Sequence, residues 1–157
     1  MLLTMLETPH VAVGAAIASK IPNPFIAIPL AFASHFILDK VPHWNPHIIT
    51  ETKKFGTPTK KSTTIIVVDC FLALGLGSII AWHAMPDVGH AVTIMLASFA
   101  SILPDFVEFP YFYFGKKDKF YEKWSSFQKS IQVDTTPFWG LLTQTITIFA
   151  SLFWIYR

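Results

Sequence analysis

The sequence predicts an all-α fold, a polytopic membrane helix bundle of about five helices forming one domain over residues 1–157. Two observations carry that prediction. Hydrophobic residues make up 52% of the 157 positions and charged residues only 14%, where a soluble domain carries about 25% charge, and mean hydropathy is +0.47. The apolar residues are also gathered into long runs, with the charges swept into the stretches between them.

Taken in order, segments 9–19 and 24–39 are apolar and helical in composition, split by the Ile-Pro-Asn-Pro breaker at 21–24. Each is short for a full crossing, so the pair reads as a short hairpin. Segment 62–84 follows with a single charge, Asp69. Segment 88–114 is apolar until Pro104, Asp105 and Glu108 interrupt it, and segment 138–156 has no charge. The last three meet the requirement of about 20 apolar residues for crossing a hydrocarbon core of roughly 30 Å. The first residues lack the basic stretch and cleavage site of a signal peptide, so none is expected. The aromatic run at 106–114 reads as lipid-facing or interfacial, and Gly75 and Gly77 as points of close helix contact.

Basic residues assign the sides. Ten of the 12 Lys and Arg fall within 40–61 and 115–137, and the positive-inside rule makes both stretches cytoplasmic loops of a cell inner (plasma) membrane protein. A net charge of +2 is too small to argue for nucleic acid, and the lone Cys70 excludes an intramolecular disulfide. Oligomeric state is not written in the sequence.

Residues 35–43 read His-Phe-Ile-Leu-Asp-Lys-Val-Pro-His. On a helix His35 and Asp39 share one face, and Pro42 turns the chain so that His43 folds back. Two imidazoles and a carboxylate at this spacing are a metal-ligand set. Polar groups of this kind are expensive beside a bilayer and ask for a reason. The topology adds to the set, because His10, Asp105 and Glu108 fall near the same cytoplasmic end. Asp69 lies roughly 10 Å below that surface at 1.5 Å per residue and requires a partner that the sequence does not name. His83 and His90 fall at the opposite face, and His47 and Trp44 read as interfacial. Ala33-Ser-His-Phe-Ile-Leu-Asp39 is echoed by Ala100-Ser-Ile-Leu-Pro-Asp105, as if two equivalent helix ends each supplied an acid to one centre.

These residues also carry a resemblance. Thr8-Pro-His10-Val-Ala-Val-Gly14 with Leu103-Pro-Asp105-Phe-Val-Glu108 resembles the paired signatures of the YdjM-like membrane-bound metal-dependent hydrolases. His35-x-x-x-Asp39 is similar, more locally, to the zinc-binding helix of zinc-dependent phospholipase C and its nuclease relatives. The resemblance implies a divalent metal, most simply zinc, and hydrolysis. The chain departs from the family pattern: Glu108 and Phe109 stand where a second Asp and a His are usual. Segment 120–132 has Gln128 and Gln132 but no histidine, and glutamine does not replace imidazole as a strong zinc ligand. The departure leaves either ligands redistributed toward 35–43 or a metal that has been lost.

The metal ligands expected are therefore His35, Asp39 and Asp105, with His10 and His43 next, and Glu108 is the candidate catalytic base. Zinc with an open position brings the pKa of bound water to about 7. Surrounding lysines can hold a phosphate, so the expected substrate is a lipid-like or phosphorylated molecule at the cytoplasmic face of the lipid bilayer. The competing class is a non-catalytic transport or assembly subunit with a structural or proton-carrying His/Asp network.

Overall fold

The computed structural model describes residues 5–157, and these hold eight helices and no strand where the sequence suggested about five helices. They are α1 (Glu7–Lys20), α2 (Pro24–Leu38), α3 (Ile48–Phe55), α4 (Lys60–His83), α5 (Val88–Phe106), α6 (Phe109–Tyr113), α7 (Lys119–Ile131) and α8 (Pro137–Tyr156). The three extra helices lie where the sequence read loops or the tail of a span. α3 and α7 form because their polar stretches each carry one inward side: Ile48, Ile49 and Thr52 on α3, Ser125 and Gln128 on α7. The Asp118 carboxylate caps α7 by accepting from the N–H groups of Phe120 and Tyr121 at 3.0 and 3.3 Å, and Gly56 ends α3 in the left-handed conformation, φ 85°. The expected span at 88–114 is broken, with α5 ending at Phe106. Pro110 has no N–H to give the Phe106 carbonyl and its ring crowds that oxygen, so the chain restarts as α6.

Three helices, α4, α5 and α8, are long and apolar enough to cross a membrane. α1 and α2 have 14 and 15 residues, about 21 and 22 Å at 1.5 Å per residue, and neither matches a core of roughly 30 Å. The two differ in environment. α2 turns Phe25 and Ile37 outward, whereas α1 is the central helix, packed against α2, α4, α5 and α8. Its Ala12, Ala15 and Ala18 have no exposed surface. Small residues permit that position. A Cβ on Gly14 would lie 2.8 Å from the Ser101 Cβ and 2.9 Å from the Ala97 carbonyl, so α1 and α5 touch nearly backbone to backbone. Of the glycine pair on α4, Gly77 faces Val11 and Ser98, while Gly75 faces open space.

Beside a small-residue apolar core, the bundle encloses polar side chains and leaves large apolar ones outside. Phe71, Trp82, Phe138, Phe149 and Phe153 are exposed on the outer helices, while His10, His35, Asp39, His43 and Gln128 are entirely enclosed. The outward apolar side chains of α4, α5 and α8 belong to the three helices whose length and composition suit a membrane crossing.

Candidate metal centre

Four helices bring their polar residues to one end of the bundle. His10 lies in the first turn of α1, after Pro9, whose missing N–H is harmless there. His35 lies in the last turn of α2, and Asp39 is that helix's C-cap. Asp105 lies in the last turn of α5 and Gln128 in the last turn of α7.

The side chains converge. His10 Nε2 lies 3.4 Å from Asp39 Oδ1, and His35 Nε2 lies 3.4 Å from Asp39 Oδ2 and 3.6 Å from Asp105 Oδ1. The imidazoles stack with centroids 4.2 Å apart at 22°. One ligand atom from each of His10, His35 and Asp105 lies within 4.8 Å of the others.

These separations suit a shared cation better than hydrogen bonds. Hydrogen bonds to oxygen run to about 3.2 Å, whereas ligands at about 2.0–2.1 Å from a tetrahedral ion are separated by about 3.3–3.4 Å. Both His10 nitrogens and both Asp39 oxygens are buried without a hydrogen-bond partner. His35 sharpens the point. Its Nδ1 lies 2.8 Å from the Ser101 carbonyl, which can only accept, so Nδ1 carries the proton and the neutral ring's Nε2 is a lone pair facing two carboxylates. Acceptors converging in a buried place are costly unless a proton or a metal cation lies between them. The ligand atoms of His10, His35 and Asp105, with Asp39 beside both imidazoles and His35 Nδ1 held by the Ser101 carbonyl, make a donor set that can hold a divalent metal.

Gln128, which sequence reasoning set aside as a ligand, serves from behind. Its amide donates to Asp105 Oδ1 at 2.9 Å and lies 3.5 Å from His35 Nε2. The only sequence signal for it was the Gln128/Gln132 spacing. The ends of α2 and α7 are further clamped by main chain: Val133 N–H donates to the Asp39 carbonyl, His43 N–H to Val133 and Thr135 N–H to His43, each at 3.1 Å.

His43 is fully buried but falls outside the His10, His35 and Asp105 group. Its Nδ1 meets the Val41 carbonyl at 2.8 Å, and its Nε2 has no partner. Glu108, just beyond α5, is 2% exposed with both oxygens unpartnered. Burial pushes its carboxyl up to about 7, the Ser125 hydroxyl offsetting part of the rise. Asp69 has its partner in α1: its carboxylate accepts from the Glu7 N–H and the Thr8 hydroxyl. The cap that Leu6 lacks is thus supplied by another helix. His83 and His90 lie at the far ends of α4 and α5, bonded to the Ile79 and Ala18 carbonyls.

Beside the centre lies a cavity of about 110 Å³ between α4 and the α5–α6 junction, with Asp105 and Glu108 in its wall. Phe106 and Phe109 line it and Phe112 is buried beside them, so part of the run read as lipid-facing or interfacial turns inward. Comparison with known protein families, curated proteins and solved structures returns no match to this chain.

Proposed function

We propose that this chain is a multi-pass membrane hydrolase that works with one divalent metal, most simply zinc, held by His10, His35, Asp39 and Asp105. The observation that carries the reading is the approach of two imidazole Nε2 atoms to two buried carboxylates at 3.4–3.6 Å with no lysine or arginine among the contacts. A metal bound there supplies Lewis acidity and makes water a competent nucleophile near neutral pH. The chain's own residues do the rest. Ser101 holds the His35 ring in one tautomer, and Gln128 orients Asp105 through its Oδ1. Glu108, with a carboxyl near 7, is suited to take a proton from attacking water and return it to the leaving group.

Basic residues in 40–61 and 115–137 support a cytoplasmic position for this end of the bundle in an inner (plasma) membrane. The substrate is then lipid-like or phosphorylated, met at the cytoplasmic leaflet. Detergent-purified protein should release p-nitrophenol from an acyl or phosphate ester in a chelator-sensitive way, and Asp105→Ala should abolish that release. Activity indifferent to chelation would reject the reading.

The continuous chain of contacts His10–Asp39–His35–Asp105 favours one second reading, a non-catalytic transport or assembly subunit whose His/Asp network carries protons. That reading predicts no stoichiometric metal and a proton flux lost on Asp39→Asn.

A further inference from the structure

The cavity between α4 and α5–α6 has a mixed lining. Ile48, Ile66, Ile102, Phe106, Phe109 and Phe112 make its apolar walls, and its ionisable groups are Glu7, Asp69, Asp105, Glu108 and Cys70. Two of these walls, Phe106 and Phe109, are 58% and 42% exposed, so the cavity borders the bundle's surface. Ile48 and Phe112 are buried at 6% and 3%, and Asp105 belongs to both cavity and candidate centre. The cavity thus joins partly exposed apolar side chains and a member of the ligand set in one lining.

Charge decides what fits. The lining contains four acidic residues and no lysine, arginine or histidine. Glu7 Oε2, Asp105 Oδ2 and both Glu108 oxygens are buried without partners. A divalent ion would balance Asp39 and Asp105 alone. A phosphate brought into this wall would find no lysine, arginine or histidine to pair with, and burying its charge unpaired is costly. An uncharged ester or amide meets no such penalty, and a protonated Glu108 can donate to its carbonyl oxygen.

We infer that this slot binds a single-chain amphiphile with an uncharged ester or amide head, taken sideways from the bilayer between α4 and α5–α6 so that its head reaches Asp105. The inference rests on the hydrolase reading and narrows its substrate class, setting phosphorylated lipids aside. The slot's partly exposed walls, Phe106 and Phe109, are apolar, as an approach for an acyl chain requires.

A monoacylglycerol bearing a diazirine in its chain, placed in phosphatidylcholine vesicles with the full-length protein, tests this directly. Bulk lipid reaches Val67 and Phe71 but not the buried Ile48 and Phe112. Photolabel should appear on Ile48 or Phe112, be competed by excess unlabelled monoacylglycerol, and fall at least fivefold in Ile66→Trp, which fills the slot. Metal content in Ile66→Trp should equal that of the wild type, which separates failure of the slot from failure of the centre. The same chain with a phosphate head should label Ile48 and Phe112 at least fivefold less. Label confined to outward residues, label unaffected by Ile66→Trp, or equal labelling by the phosphate-headed probe would each overturn the inference.

Discussion

His35 Nδ1 donates to the main-chain carbonyl of Ser101 at 2.8 Å, and this one contact between α2 and α5 fixes which ring nitrogen faces Asp39 and Asp105. Because the acceptor is main chain, no substitution at 101 removes it. The imidazole itself is the place to intervene. His35→Ala should lose metal affinity by more than the 10–100-fold usual for an outer-shell partner. His35→Gln, which retains a hydrogen-bonding side chain, should do little better. Isothermal titration with Zn²⁺ on chelator-treated protein checks both, with His83→Ala as the control expected to match the wild type.

Gln128 gives a graded version of the same test. Its amide donates to Asp105 Oδ1 at 2.9 Å, so Gln128→Leu leaves that oxygen unsupported without removing a ligand. Zn²⁺ affinity should fall by about 10–100-fold while the metal-to-protein ratio at saturation stays unchanged.

Asp69 acts through the start of α1. Its carboxylate accepts from Glu7 and Thr8, three and two residues before His10. Asp69→Ala removes an N-cap supplied across helices and should destabilise the fold by about 1–2 kcal/mol, read as a lower unfolding temperature in detergent. Asp69→Asn retains an acceptor and should recover part of the loss.

The α1–α5 approach makes an equally sharp contrast between two glycines. Gly14→Val drives a side chain into Ser101 and the Ala97 carbonyl and should cost about 1–3 kcal/mol or more. It should also weaken metal binding, because Ser101 holds His35. Gly75→Ala meets nothing within 4 Å and should be neutral or slightly stabilising, since alanine is the better helix former. Thermal unfolding of the two variants decides.

Glu108 predicts a pH dependence with a definite sign. Its carboxyl ordinarily titrates at 4.5 and is raised to about 7 by burial in the folded chain. In that window the unfolded state has already released a proton that the folded state retains. Stability of metal-free protein should therefore fall as pH rises from about 4.5 through about 7 and then level off. Glu108→Gln should flatten this part of the profile, and unfolding temperatures between pH 4.5 and 8.5 in the presence of chelator check it.

Much of the arrangement was legible because helix periodicity and charge placement are local signals. The four-residue spacing of His35 and Asp39, the position of His10 early in an apolar helix, and Asp105 at the end of another all put polar groups at one level. Other features depend on contacts that no local pattern records. Asp69 meets Glu7 from 62 residues away and Gln128 meets Asp105 from 23. The apolar residues on both sides of Pro104, Asp105 and Glu108 hid the break before Pro110. The lysine-rich stretches concealed α3 and α7, whose buried sides are only a few residues wide. The centrality of α1 was hidden for a related reason: alanine and glycine read as weakly apolar, yet their small size is what lets the helix sit inside the bundle.

Elemental analysis of protein purified in detergent without added metal tests the central claim most directly. About one divalent ion per chain is predicted, with zinc the first expectation, retained in His83→Ala and lost from His35→Ala and Asp105→Ala variants that still fold. A wild-type chain with no bound metal, unable to take up Zn²⁺ and folding identically with and without chelator, would contradict it.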